Sequence, residues 1–269
     1  MISNLKSKIE ELSDLLQPGN TSDSSTHRAE VLKCVDEVFA LLNKGEIRVA
    51  EKIDGKWITY QWIKKAILLA FKFKESIKRE LDSFDKLGLL EFDYTAPRYR
   101  KVCPAVIRDG VYIGNDTVIM PSYINTGAYI GNGTMIDINA AIGSCAQIGY
   151  DCHISAQSCI GGVLEPVVDN PVIIDDNCFI GVHSSVLEGV IVEEDSIIAA
   201  GVNITASTKI IDRATGEVRL GRIPRGSVVV SGSYPSNGLN IACCIIVKTI
   251  DSKTMSKVKI NEILRGCTY

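Results

Sequence analysis

The feature that most constrains this chain is a period of six residues. From Val118 to Ile160 an Ile or Val falls at every sixth position, and after a break the period resumes from Ile174 to Ile210. Four residues after each aliphatic the side chain is usually small, as at Ala128, Thr134, Ala140, Ala146, Cys152 and Ser158, then Cys178, Ser184 and Ser196. Six matches neither the 3.6-residue turn of a helix nor the two-residue alternation of a strand. It matches a short strand and a tight turn, repeated. The aliphatic then points into a narrow interior, and the small residue fills the adjacent inward slot, where a large one would clash. The pattern therefore predicts a parallel β-solenoid. An Ile/Val-rich sheet in accidental register is the alternative, and a run this long speaks against it.

Composition agrees. Aromatic residues are only 6% of the chain, so bulky rings are few where the solenoid interior is narrow. A net charge of −3 predicts no general affinity for nucleic acid or an anionic membrane. No apolar run reaches the roughly 18 residues of a membrane span. The first residues, MISNLKSKIEELSDLL, are amphipathic and charged, unlike a secretory leader. Nine cysteines, an odd number without a CxxC pair, predict reduced thiols in a cytoplasmic protein rather than a disulfide framework.

Three domains are expected. Residues 1–98 read as helical: Leu5, Ile9, Leu12 and Leu16 recur at helical spacing, as do Val31, Val35, Val38 and Leu42 before a stop at Gly45. The segment from Trp57 to Phe73 shows another apolar face, and 20–26 reads as a turn or linker. Residues 99–226 form the repeat, with excursions near 161–173 and 211–221. Such insertions project from corners and often carry function. Residues 227–269 read as two strands, 227–232 and 241–250, followed by a terminal helix over 259–265.

The aliphatic–Gly–x–x–small–x pattern resembles the hexapeptide-repeat acyltransferases. The strings VIMPSYINTGAYIGNGTMID (118–137), GSCAQIG (143–149), GGVLEP (161–166), DNCFIG (176–181), EGVIVEE (188–194) and DRATGE (212–217) resemble the tetrahydrodipicolinate N-succinyltransferase family. So do RVAEKIDGKWITYQWIKKAILLAF (48–71) and the tail. The resemblance implies a mainly β fold: a left-handed parallel β-helix with an N-terminal α-helical domain and a short C-terminal β/α tail. It also implies a homotrimer with sites between neighbouring columns. The implied reaction moves the succinyl group of succinyl-CoA to tetrahydrodipicolinate, with no tightly bound cofactor and no metal. Another acyl-CoA transferase on the same scaffold, or a non-catalytic scaffold protein, stays open from the residues alone.

Acyl transfer from a thioester to an amine needs a base for the amine's proton and donors for the oxyanion. Asp137 stands directly after Ile136, where most coils carry Gly, Asn or Ser. The resemblance makes it a catalytic and substrate-binding candidate; a turn-capping Asp is the plainer reading. Glu188 is the second catalytic candidate, against a solvated corner residue. Arg100 resembles the family's substrate-binding arginine, and Arg108 is a second candidate, because guanidinium pairs with a dicarboxylate through two hydrogen bonds. Arg108 otherwise reads as a structural ion pair. The pantetheine arm of CoA is expected near Gly181, Ala199 and Gly201, and its phosphates near Lys209 or Arg222, with Arg225, Lys248 and Lys257 also available. His153 and His183, thirty residues apart, read as corner or packing residues rather than metal ligands. Cys152 and Cys178 occupy small inward slots, and no nucleophilic thiol is required.

Overall fold

The computed structural model describes residues 2–16 and 24–250. The expected helix at 259–265, Lys257 and positions 20–23 of the expected linker lie outside the described residues. The rest of that linker is not a turn: the second helix already begins at Ser24.

The N-terminal part holds α1 (Ile2–Leu12), α2 (Ser24–Lys44) and α3 (Gln61–Phe73) around one apolar core. Val31, Val35, Val38 and Leu42 of α2 are buried against Ile63, Ala66, Ile67 and Ala70 of α3, as helical spacing requires. One part of the helical expectation fails. Residues 50–59 form an antiparallel hairpin, β1 (Ala50–Ile53) and β2 (Lys56–Thr59), so Trp57 belongs to a strand and not to α3. The missed signal was Asp54-Gly55, whose φ angles of 48° and 74° make the mirror-image turn that two-residue hairpins favour.

From Arg100 onward the chain winds into a three-faced column of two-residue strands. Face I stacks Tyr112–Ile113, Tyr129–Ile130, Gln147–Ile148, Ile173–Ile174, Ile191–Val192 and Arg222–Ile223 in parallel. Face II stacks Arg100–Lys101, Val118–Ile119, Met135–Ile136, His153–Ile154, Phe179–Ile180 and Ile197–Ile198. Face III stacks Val106–Ile107, Tyr123–Ile124, Ala141–Ile142, Cys159–Ile160, Ser185–Val186 and Asn203–Ile204. The second residue of each pair points inward, and from Ile107 to Ile204 those on the three faces are almost fully buried. The small slots are filled as expected by Ala128, Thr134, Ala140, Ala146, Cys152, Ser158, Cys178, Ser184 and Ser196, all buried.

The ends of the period need correction. Ile119, not Val118, is the inward member of its coil, since Ile119 pairs with Ile136 and Val118 with Met135. The corner through Pro121 is one residue short, so the inward phase slips between Ile119 and Ile124. Below the slip the column continues through Ile113 and Ile107, two coil faces earlier than the unbroken period reaches. At the other end Ile210 is buried outside the coils, in the strand Ile210–Asp212 that pairs with Val218–Arg219. A long hairpin, Ser227–Ser236 with Leu239–Thr249, then caps face II by pairing with Ile197–Ile198.

The helical part is fastened to the column. Arg48 Nε donates to Gln147 Oε1 at 2.9 Å, and its guanidinium lies 3.7 Å over the Tyr129 ring. Burial lowers the Arg48 pKa, and the coulombic influence of Tyr129 opposes that shift. Lys52 pairs with Asp175 at 2.6 Å.

Candidate active site

Three faces make three corners, and the corners sort the candidate residues. The corner from face II to face III carries Asp137, Gly181 and Ala199 in one vertical line, each one residue beyond the inward members Ile136, Ile180 and Ile198. Gly201 lies on the same corner. Gly181 is buried against the backbone of the coil above. Coils rise by about 4.8 Å each, so Asp137 stands about 10 Å below Gly181.

Asp137 is half-buried. Its Oδ1 accepts the Ile138 amide at 2.7 Å, and its Oδ2 lies 3.7 Å from His153 Nε2. The turn-capping contact is therefore real, and it uses only one of the two oxygens. Of the two readings, corner or packing residue, His153 takes the second. It faces outward from a strand of face II, edge-on to Phe179 with ring centroids 5.1 Å apart. His183 does sit at a corner, with a φ of 57°.

Glu188 is on a different edge, the corner from face III to face I. It is exposed, holds a left-handed φ of 55°, and its Oε2 accepts the Ala206 amide at 3.1 Å. Both excursions leave from this edge, 161–172 below Glu188 and 205–221 above it. The first presses on the adjoining residue: a Cβ on Gly189 would stand 2.7 Å from the Asn170 carbonyl oxygen, at a φ of 71°. Lys64 of α3, fully buried, donates from Nζ to the Asp169 carbonyl at 2.6 Å, and Thr59 donates to Asn170 Oδ1 at 2.9 Å. Burial lowers the Lys64 pKa.

Arg100 is exposed at the foot of face II, two coils below Met135 and so on the same side as Asp137. Arg108 is engaged within its own chain. Its Nη2 pairs with Asp85 at 2.5 Å, its Nη1 donates to Asn125 at 3.0 Å, and the guanidinium lies 5.5 Å from the Phe71 ring. The two proposed phosphate cations are separated from the Gly181 edge. Lys209 lies in the second excursion, 4.1 Å over the Tyr234 ring. Arg222 points to the corner between faces I and II, where it pairs with Glu193 at 2.6 Å. Arg225 joins that corner through Glu194 at 2.7 Å and Asp195 at 2.9 Å. Sequence reasoning did not find Lys64 or Thr59, because nothing local marks a side chain that reaches an excursion about a hundred residues away.

A stacked three-faced column with an inward Ile or Val at each turn is the architecture of the hexapeptide-repeat proteins. Residues 171–206 match the model described as the hexapeptide repeat of succinyl-transferase, and residues 4–73 match that of the tetrahydrodipicolinate N-succinyltransferase N-terminal region. The 2,3,4,5-tetrahydropyridine-2,6-dicarboxylate N-succinyltransferase of Sodalis glossinidius is 48% identical over 93% of this chain and 93% of its own. That of Methylobacillus flagellatus is 48% identical over 98% of this chain and all of its own. The chain belongs to the tetrahydrodipicolinate N-succinyltransferase family. A Campylobacter jejuni crystal structure described as a 2,3,4,5-tetrahydropyridine-2-carboxylate N-succinyltransferase superposes with a TM-score of 0.53 at 16% identity, over 78% of this chain and 62% of that one. The column is thus the left-handed parallel β-helix of this class. Among the described residues no helix is long and apolar enough to cross a membrane.

Proposed function

We propose that the chain transfers the succinyl group of succinyl-CoA to the amino group of hydrated, ring-opened tetrahydrodipicolinate. The product is N-succinyl-2-amino-6-oxopimelate, in the route to diaminopimelate and lysine, in the cytoplasm. The observation that carries this reading beyond family membership is the II–III corner. It sets one carboxylate, Asp137, at the foot of an edge of small residues, Gly181, Ala199 and Gly201. An extended pantetheine arm can lie along such an edge with its thioester beside the carboxylate. The amine attacks the thioester carbon while Asp137 takes its proton. The oxyanion needs N–H donors other than the amides of Gly181, Ala199 and Gly201, which already donate to the carbonyls of Ile198, Val229 and Val182, and the CoA thiolate leaves.

Asp137 and Glu188 occupy different corners of one column, so a single chain cannot close both on one substrate. A homotrimer in which the II–III corner of one column faces the III–I corner of the next brings them together, with Glu188 beside the acceptor amine. Arg100 then takes a substrate carboxylate. Arg108, held by Asp85 and Asn125, supports its own coil better than it serves a ligand. Lys209 and Arg222 reach CoA phosphates only if these extend beyond the small-residue edge.

Thiol release with tetrahydrodipicolinate and either succinyl-CoA or acetyl-CoA tests the reaction: release with acetyl-CoA alone defeats it. Asp137→Asn should leave the assembly intact by sedimentation and lower turnover by about a hundredfold or more. Near-normal turnover removes Asp137 from the base role.

A further inference from the structure

The outward line of face II runs upward through Arg100, Val118, Met135, His153, Phe179 and Ile197. His153 is the imidazole in an otherwise apolar stretch of that line. Its side chain is 21% exposed and that of Asp137 26%, with 3.7 Å between Nε2 and Oδ2. Asp137 Oδ1 is already taken by the Ile138 amide. One oxygen of this carboxylate is thus hydrogen-bonded within its own turn, and the other stands near the imidazole of the coil above, at a distance beyond a hydrogen bond.

We propose that His153 is a positioning residue for Asp137, holding the Oδ2 oxygen from the strand above and, through its own protonation, setting the acid limit of the reaction. This rests on the reading of Asp137 as the group that takes the amine's proton. A neutral imidazole whose N–H closes from 3.7 Å to hydrogen-bond distance of Oδ2 when substrate binds would fix the carboxylate rotamer and leave a lone pair on that oxygen for the proton. The Phe179 ring, edge-on to the imidazole, limits its swing. A protonated imidazole instead ties the carboxylate into an ion pair, so the base is no longer free. Activity then falls as pH falls through the titration of His153. The titratable groups on the surrounding elements include Asp137 on the corner below, Tyr150 and Asp151 at the corner entering the His153 strand, Asp175 and Asp176 at the corner entering the Phe179 strand, His183 beyond that strand, and Arg100 at the foot of the line; Met135 and Phe179 carry no charge.

The chain has three histidines, so His153 can be followed by NMR in the intact protein. Its titration midpoint should move down in Asp137→Asn, because a neighbouring negative charge is removed. His153→Gln keeps a donor that cannot titrate, and should keep most of the turnover while shifting the acid limb of kcat/KM to lower pH. His153→Phe should lower kcat by about tenfold to a hundredfold, the effect of misplacing a reacting group by about 1 Å, with the KM for succinyl-CoA little changed. A midpoint indifferent to Asp137→Asn overturns the proposal even if the variants fold poorly. So does a His153→Phe enzyme with wild-type kcat and acid limb. Full turnover by Asp137→Asn with a shifted midpoint would instead sink the role of Asp137 and leave the pairing standing.

Discussion

The two excursions leave the same corner of the same column, yet they are held by different means. Residues 161–172 have no strand of their own. Val163 is buried in the column core, Leu164 packs against the helical core, and Lys64 and Thr59 hold Asp169 and Asn170. Residues 205–221 hold themselves through strand pairing. Ile210–Asp212 pairs with Val218–Arg219 and with the C-terminal hairpin, where Ile210 meets Cys244, and Asp212 Oδ1 caps the turn through the Ala214 and Thr215 amides. The first is fastened by a distant domain and the second by local structure. The seat of the first insertion beside Glu188 thus draws on the helical domain as well as on the column itself.

Substitutions can break this contrast. The largest expected effect is Ile210→Ala, which opens a cavity between the second excursion and the C-terminal hairpin. It should cost about 2–5 kcal/mol in denaturant unfolding and leave the first excursion's amide exchange unchanged. Lys64→Met should be smaller in stability, about 1–3 kcal/mol, because a hydrogen bond from a charged donor is lost while a buried charge is relieved. Its mark should be faster exchange over 165–170 and a raised KM for the acceptor, without change over 210–219. If exchange there is unaltered, Lys64 does not seat the excursion. Thr59→Val removes an exposed neutral bond and should cost about 0.5 kcal/mol, with a weaker version of the same local exchange signature. Arg219→Gln breaks an exposed pair with Glu217 in the second excursion and should leave the melting midpoint unmoved. A clear drop would mean that this hairpin relies on its charges and not on strand pairing.

How much of this was legible in the chain depends on the distance between the residues involved. The sixfold recurrence of Ile and Val fixed the column, because which side chains turn inward is decided by the next few residues along the chain. It also placed Asp137, Gly181 and Ala199 as turn residues, though their vertical alignment needed the strand register. The hairpin at 50–59 is legible in Asp54-Gly55, whose turn chemistry outweighs the apolar spacing that runs from Trp57 into the helix. The one-residue slip at Pro121 hid two further coil faces.

Periodicity alone specified a coiled β column with small residues in its inward slots, since burial imposes a repeat on whatever lines a narrow core. The fold alone decided which corner each carboxylate occupies, that His153 faces Asp137, and that Arg48, Lys52 and Lys64 fasten the helical domain to partners 99 to 123 residues away. Those contacts depend on where two separately formed surfaces meet, and single polar side chains that bridge them leave no repeating mark in the order of amino acids.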